Sequence, residues 1–257
     1  MSVPRGEEGR VQAAGSGGAP AFPAQERVDL AELEPGSAAE LPLRLATARL
    51  ACFPTDTVYG IGGRLSPATA AAVTAAKRRD RGKPLQVIFP NREALFAAVA
   101  LGRRLTDACL RLLPGPVTLV IPYPEGFDGP PAGEVVHEQR RAIGADGRIV
   151  VRTLGVRVPR WPTPARVLGA LTFPLVSSSA NRSGAPAPAR LVDVDPGILA
   201  ACDLVLDAGP AGGAASTVVD LTLYEERGRW RLLREGALTA DDVAERLARR
   251  RDDLPRV

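Results

Sequence analysis

Short apolar runs alternate along the middle of the chain with longer segments that carry helix start and stop signals. The apolar runs predict β-strands at 50–53, 85–89, 117–122, 149–151, 155–158, 175–178, 204–206, 216–221 and 230–233. The longer segments predict helices at 37–49, 67–79, 93–100, 103–113, 165–171 and 240–250. Strands that alternate with helices favour an α/β domain with a twisted, mixed sheet and helices outside it.

The composition changes along the chain and predicts three parts. Residues 1–27 are rich in Gly, Ala and Pro without periodicity, which predicts a disordered extension. Residues 28–240 carry the alternating pattern of a single catalytic domain, and 241–257 are predicted to form a C-terminal helix and tail. Within the domain, residues 124–148 are predicted to be loop-rich, and they contain the single histidine, His137.

Charge and cysteine content narrow the possible environment of the protein. No stretch approaches the roughly 20 continuous apolar residues of a membrane span, and the N-terminus lacks a signal-peptide core. Cys52, Cys109 and Cys202 match no zinc or disulfide spacing and are expected to be core residues in a reducing compartment. We therefore expect a cytoplasmic protein without membrane association. A net charge of +4 permits an anionic ligand, whereas an aromatic content of 4% disfavours base stacking on RNA.

The segment FPTDTVYGIG at 53–62 places hydroxyls and a carboxylate directly after a predicted strand. Thr55 and Thr57 are two residues apart, so in an extended chain both hydroxyls point to the same side. Glycines beside them would let a ligand approach the backbone. The pattern is compatible with a site for a small polar substrate and also with a capped turn, because Thr and Asp are common turn formers.

A dense group of cations, KRRDRGK at 77–83, follows the helix predicted at 67–79. Cations at a helix C-terminus are stabilised by the helix dipole, so a structural role is compatible with this position. Their mutual repulsion, however, favours a polyanionic ligand, and Lys and Arg are the side chains that hold phosphates being transferred.

A second hydroxyl-rich segment, PLVSSSANRSG at 174–184, repeats the logic of the first, since an apolar strand leads into serines and an asparagine. Ligands of open α/β sheets bind at the carboxyl ends of strands, which makes this a second candidate site segment. The sequence contains no GxxxxGK[ST] loop, GxGxxG fingerprint or GxSxG elbow, so a nucleotide would need a different cradle.

Seven motifs in fixed order resemble the YrdC-like family of L-threonylcarbamoyladenylate synthases. They are PTDTVYG (54–60), K-x-R with a following Pro-Leu (77–85), PGPVT (114–118), GVRVP (155–159), SSSAN-x-SG (177–184), STVVD (216–220) and LREGA (233–237). The resemblance extends over residues 37–240. It implies a twisted, mostly parallel α/β sheet with flanking helices around a deep basic cleft.

The resemblance also implies a reaction. Threonine, bicarbonate and ATP would give threonylcarbamoyl-AMP and pyrophosphate, and a separate transferase complex would move the threonylcarbamoyl group to adenosine 37 of tRNA. A nucleotidyltransferase of this kind needs no covalent intermediate, and it would use Mg²⁺ delivered with ATP rather than bound by protein side chains. A direct contact with tRNA is a further expectation.

Residue roles follow from the resemblance, position by position. Contacts to threonine and to the threonylcarbamoyl group are implied for Thr57, Arg157, Ser177 and Ser216, with Arg157 on the carboxylate. Contacts to ATP are implied for Lys77, Arg79, Lys83, Thr153, Ser179, Asn181 and Arg234, of which Lys77 and Arg79 are the expected catalytic cations. Further pocket residues are implied at Thr55, Tyr59 and Thr118.

The chain also departs from the family pattern. Asp80 stands where relatives often have Pro, and Ala215 stands where they usually have Glu. The stretch 124–148 is longer than in many members, and the chain stops soon after LREGA, as expected for a form without the extra C-terminal domain.

Three other functions remain open from the sequence alone. The protein could bind RNA through a basic cleft without chemistry, act on another carbamoyl-type substrate as a paralogue, or serve as an assembly factor in a tRNA-modification complex. The hydroxyl-rich motifs and the scarcity of aromatic residues favour the synthase over the first alternative.

Overall fold

The computed structural model describes residues 25–78, 84–124, 127, 136–143 and 147–249. Within them, one sheet of 11 strands forms the centre of the molecule. The strands are β1 (Glu26–Asp29), β2 (Ala51–Phe53), β3 (Gly60–Arg64), β4 (Gln86–Ile88), β5 (Val117–Pro122), β6 (Val136–Ile143), β7 (Gly147–Arg157), β8 (Leu175–Ser179), β9 (Leu204–Asp207), β10 (Thr217–Leu223) and β11 (Arg229–Arg234).

The strand order is β1-β9-β2-β3-β8-β4-β7-β5-β10-β11, with β6 attached to β7. The α/β class and the mixed sheet are confirmed. The expectation of a mostly parallel sheet is wrong for the described strands, because six of their ten pairings are antiparallel. Short connections such as the one between β2 and β3 favour antiparallel neighbours, whereas parallel pairs require long crossovers.

Seven α-helices are described, and most of them begin or end within about two residues of the sequence prediction where one was made. They are α1 (Pro35–Thr47), α2 (Pro67–Lys77), α3 (Arg92–Ala98), α4 (Arg103–Leu112), α5 (Pro196–Leu199), α6 (Tyr224–Arg227) and α7 (Ala240–Ala248). Ser66 caps α2 by accepting a hydrogen bond from the Thr69 N–H. The helix expected at 165–171 is instead a 3₁₀ helix, Thr163–Ala170.

Hydrophobic side chains cover both faces of the sheet. On β2, Cys52 packs in one core cluster, and its neighbours Ala51 and Phe53 pack in the other. On β9, Val205 and Leu206 divide in the same way. Alternate side chains of a strand point to opposite faces, so a continuous apolar run of this kind is buried on both sides. The three cysteines are free and buried, as expected.

Two strands were missed and one stretch was wrongly predicted as loop. Val136–Ile143 forms β6, which pairs with β7 from Gly147 to Leu154 and places His137 opposite Thr153. The sequence of β6 is largely polar, and its hydrogen bonds come from the adjacent strand, so no local apolar pattern marks it. β1 was missed because its parallel partner, β9, lies far away in the sequence. β3 was missed because its composition is rich in glycine.

The glycines of β3 allow close contact with β8. A Cβ on Gly62 would lie 2.1 Å from the carbonyl oxygen of Val176. Only a residue without a side chain fits at this distance. The glycines expected to let a ligand approach the backbone therefore lie in a central strand, where Gly62 serves packing and Gly60 lines the cleft described below.

Residues 1–24 and 250–257 lie outside the described residues, so most of the predicted N-terminal extension and the C-terminal tail are not tested. Glu26 and Arg27, the end of the predicted extension, lie in β1. Within the described residues, every helix is too short or too polar to span a bilayer.

We predict that Gly62→Ala lowers the free energy of unfolding by about 1–3 kcal/mol or more, since the added methyl group cannot fit against β8. Urea denaturation would measure the change. Gly36→Ala is the matched control, because a Cβ there meets nothing within 4 Å and the position is helical. Equal midpoints for both variants would contradict the packing argument.

Candidate functional site

A cleft of about 570 Å³ opens over the middle of the sheet. Strands β3, β8, β4, β7, β5 and β10 contribute to its walls, together with the segment before β3 and the segment after β8. Ten of the residues predicted from the sequence line it: Thr55, Lys77, Thr118, Thr153, Arg157, Ser177, Ser179, Asn181, Ser216 and Arg234. The fold thus brings together motifs that are far apart in the chain.

Arg157, the last residue of β7, is held against the PTDT segment. Its side chain is only 3% exposed, and its Nη2 donates to Asp56 Oδ1 at 2.5 Å and to Thr57 Oγ1 at 2.7 Å. The other carboxylate oxygen of Asp56 accepts from the Arg160 N–H at 3.0 Å. Asp56 therefore links the PTDT segment to the end of β7 at two points.

Burial and a neighbouring carboxylate act in opposite directions on the pKa of Arg157. The pKa of the Arg157 guanidinium is lowered from its ordinary value, because the effect of burial outweighs the opposing effect of the adjacent Asp56 carboxylate. The Nε atom is buried and has no hydrogen-bond partner among the described residues. A buried donor without a partner is costly, so an acceptor supplied by a ligand in the cleft would be favoured there.

Lys77, at the end of α2, lies against the segment that follows β8. Its ammonium donates to the carbonyl oxygens of Ser179 and Asn181, and it lies 3.3 Å from Asn181 Oδ1. The Ser179 hydroxyl donates to the same amide oxygen at 2.5 Å. The first residue of K-x-R and both residues of S-x-N therefore form one polar cluster.

A chain of hydrogen bonds crosses the opposite wall of the cleft. Thr118 Oγ1 donates to Gln86 Oε1 at 2.9 Å and lies 3.0 Å from the hydroxyl of Ser216. Arg234 donates from Nη2 to Ser216 Oγ at 3.1 Å and to the Ser216 carbonyl at 2.7 Å. Burial lowers the pKa of the Arg234 guanidinium. The wall is thus pre-organised, with hydroxyls and a guanidinium fixed by one another.

The sequence assigned two residues to the pocket that the structure places behind it. Thr57 is buried and is absent from the cleft wall, and its hydroxyl accepts from Arg157. Tyr59 is fully buried, and its hydroxyl donates to Asp207 Oδ1 at 2.7 Å and to the Gly209 carbonyl at 2.8 Å. Both side chains support the cleft from behind instead of lining it.

Arg79 and Lys83 lie outside the described residues, so their predicted ATP contacts are not tested. The predictions also missed several described residues, among them Gln86 and Asp56. Gln86 lines the cleft from β4, and Asp56 supports it from behind. Asp56 could have been found, because a carboxylate between two threonines of a polar motif is a natural partner for an arginine elsewhere.

The electrostatic character of the cleft follows from its lining. Lys77, Arg157 and Arg234 supply positive charge, and no carboxylate lines the part of the cleft that the structure describes. Hydroxyls and an amide accompany these cations. Such a lining suits an anion that also carries polar groups, such as a phosphorylated or carboxylated small molecule.

Sheet, helices and cleft together define an α/β protein with a polar small-molecule site over the middle of its sheet. A model of the Sua5/YciO/YrdC family, described as telomere recombination, matches residues 44–236. The chain therefore belongs to this family.

Two curated relatives carry the same functional name. The chain is 34% identical over 206 residues to a putative threonylcarbamoyl-AMP synthase of Mycobacterium leprae, covering 77% of this chain and 81% of that one. It is 29% identical over 198 residues to the threonylcarbamoyl-AMP synthase of Pyrococcus abyssi, which covers 76% of this chain. The match spans only about half, 52%, of the Pyrococcus protein.

Solved structures agree with the fold. P. abyssi Sua5 complexed with L-threonine superposes with a TM-score of 0.64 at 26% identity, covering 86% of this chain and 60% of that one. E. coli YciO superposes with a TM-score of 0.65 at 16% identity, covering 86% and 99%, and this likeness concerns the fold alone.

We predict that Asp56→Ala destabilises the fold by about 3 kcal/mol or more, because it leaves Arg157 buried without its counter-charge. Urea denaturation would measure the loss. Glu40→Ala is the control, since its ion pair with Arg44 is exposed and should leave the midpoint almost unchanged. A similar small effect at Asp56 would show that the buried pair is not needed for stability.

Proposed function

We propose that the protein is an L-threonylcarbamoyladenylate synthase, a nucleotidyltransferase that forms threonylcarbamoyl-AMP and pyrophosphate from L-threonine, bicarbonate and ATP. One observation carries the proposal: the cleft joins Arg157 and hydroxyls at one end to Lys77, Ser179 and Asn181 at the other, in a family whose named relatives are such synthases. The chemistry of the two groups fits the two halves of the product.

The amino-acid half of the substrate would lie near Arg157. Its guanidinium has a buried, unpartnered Nε for a carboxylate oxygen, and Thr55 and Ser177 line the same region. Ser216, held by Arg234, would contact the threonylcarbamoyl group from the opposite wall. The complex of P. abyssi Sua5 with L-threonine supports this choice of amino acid.

The nucleotide would lie along Lys77, Ser179, Asn181, Thr153 and Arg234. The threonine amine attacks bicarbonate or a species derived from it, water is lost, and an N-carboxylate forms. An oxygen of this carboxylate attacks the α-phosphorus of ATP, the bond to the β-phosphate oxygen breaks, and pyrophosphate leaves. The protein contributes positioning and positive charge, so it needs no covalent intermediate.

Magnesium would arrive with the nucleotide. The described lining of the cleft offers no carboxylate, and no cluster of metal-ligating side chains occurs among the described residues. Oxygen ligands for Mg²⁺ would therefore come from the phosphates and water, where the ion neutralises charge.

The product would serve the N6-threonylcarbamoyl modification of adenosine 37 in tRNA. The protein would act in the cytoplasm and supply a separate transferase complex, with or without a direct contact to tRNA. Arg79 and Lys83, which are not described, would add charge near the phosphates.

We expect the purified protein to release pyrophosphate from ATP only when both threonine and bicarbonate are present. A coupled phosphate assay after pyrophosphatase treatment would measure the rate, with serine replacing threonine as a specificity control. Release without threonine would contradict the proposed reaction. No release, together with tight tRNA binding, would favour an RNA-binding role.

We expect Lys77→Ala to lower the rate of pyrophosphate release by about 10²-fold or more, because it removes a pre-organised cation beside the proposed phosphate site. Arg103→Ala, on α4 and remote from the cleft lining, is the control and should retain full activity. Near-normal activity of the Lys77 variant would contradict the proposal that Lys77 binds the phosphates of ATP.

A further inference from the structure

A second concave site lies outside the cleft, between the start of α3, the end of α4, the segment after β7 and the end of α7. It encloses about 260 Å³, and five of its lining residues are arginines: Arg92, Arg111, Arg160, Arg246 and Arg249. Leu110, Leu113 and Pro114 complete the lining described for this arginine groove. The groove shares no lining residue with the cleft.

Among the described residues, negative charge compensates the arginine groove only in part, since the carboxylate of Asp242 interacts electrostatically with Arg246 on α7. No carboxylate lines it within the described residues, and of the five arginines only Arg249 forms an ion pair there, with Glu245 at 3.3 Å. Like charges that line one concavity repel one another, and a bound anion would reduce this repulsion. The groove therefore favours binding of an anion.

Arg111 supplies a second, independent observation. Its Nε atom is buried and has no hydrogen-bond partner among the described residues. An orphaned guanidinium donor is rare in folded proteins, because losing its water costs free energy that a partner normally offsets. Arg111 is also one of the groove's lining arginines, so a bound anion could provide an acceptor nearby.

The arrangement favours a particular kind of anion. The arginines come from four separate elements and converge on one concavity, so several guanidinium groups can bind one ligand. Planar guanidinium groups bind phosphate oxygens in pairs, and five positive charges match a ligand with several negative charges better than a single carboxylate. We propose that the arginine groove binds the phosphate groups of a polyanion.

The proposal does not depend on the reaction in the cleft. The two sites are nevertheless adjacent through the backbone, because the N–H of Arg160 donates to Asp56, which holds Arg157. Phosphate groups could come from a free polyphosphate or from the backbone of RNA. The experiment below uses inorganic pyrophosphate and a tRNA transcript to distinguish these two sources.

Calorimetric titration of the full-length protein with inorganic pyrophosphate tests the site. The background is Lys77→Ala/Arg234→Ala, in which binding to the cleft is weakened and the groove is unchanged. Adding Arg111→Gln/Arg246→Gln should weaken the remaining pyrophosphate binding by about tenfold or more. Adding Arg166→Gln/Arg229→Gln, two exposed arginines outside both linings, removes the same charge and should change little.

The same three proteins are then titrated with a labelled tRNA transcript at two salt concentrations. Loss of pyrophosphate binding only in the groove variant assigns a free polyphosphate, and selective loss of tRNA binding assigns the RNA backbone. Equal losses in the groove and control variants, or no loss of either ligand, would overturn the proposal. Circular dichroism would verify that all variants are folded, so that lost binding is not lost structure.

Discussion

The contact between Arg157 and Asp56 is the interaction on which the organisation of the cleft depends. A guanidinium that is almost fully buried beside the sheet has lost its water, and it is stable there only with a counter-charge and several acceptors. Asp56, with the hydroxyl of Thr57, supplies them and thereby brings the PTDT segment onto the end of β7. The ion pair between Arg157 and Asp56 therefore fixes both the position of Arg157 and the part of the cleft wall that Thr55 forms.

The loop around Gly212 secures this arrangement from the other side. A Cβ on Gly212 would lie 2.5 Å from the carbonyl oxygen of Asp56, and the N–H of Gly213 donates to the Thr57 carbonyl at 2.7 Å. The hydroxyl of Tyr59 donates to Asp207 and Gly209, at the turn that leads from β9 into this loop. Gly212, Gly213 and Tyr59 therefore hold the PTDT segment in one conformation. A pre-organised binding site requires support of this kind.

The two walls of the cleft are held by different kinds of contact. On one side, Lys77 donates to the backbone carbonyl and the side-chain amide oxygen of Asn181, which orient the ammonium group and carry no net charge. On the other side Arg234, Ser216 and Thr118 form a chain of hydrogen bonds to Gln86. In both cases the polar groups are already oriented, so little reorganisation is needed when an anion arrives.

The sequence by itself determined the α/β class, five of the seven described α-helices, the strands with continuous apolar runs and ten residues of the cleft lining, because periodicity and motif composition are local properties. It did not reveal β1 or β3, which pair with the distant strands β9 and β8, or β6, which has a largely polar sequence and pairs with the adjacent β7. It assigned Thr57 and Tyr59 to the pocket, whereas tertiary packing turns both hydroxyls toward internal partners. It also gave no sign that five arginines from separate elements converge on one groove. Which side chains face a common space depends on strand order and helix packing, and these are decided only when distant segments meet.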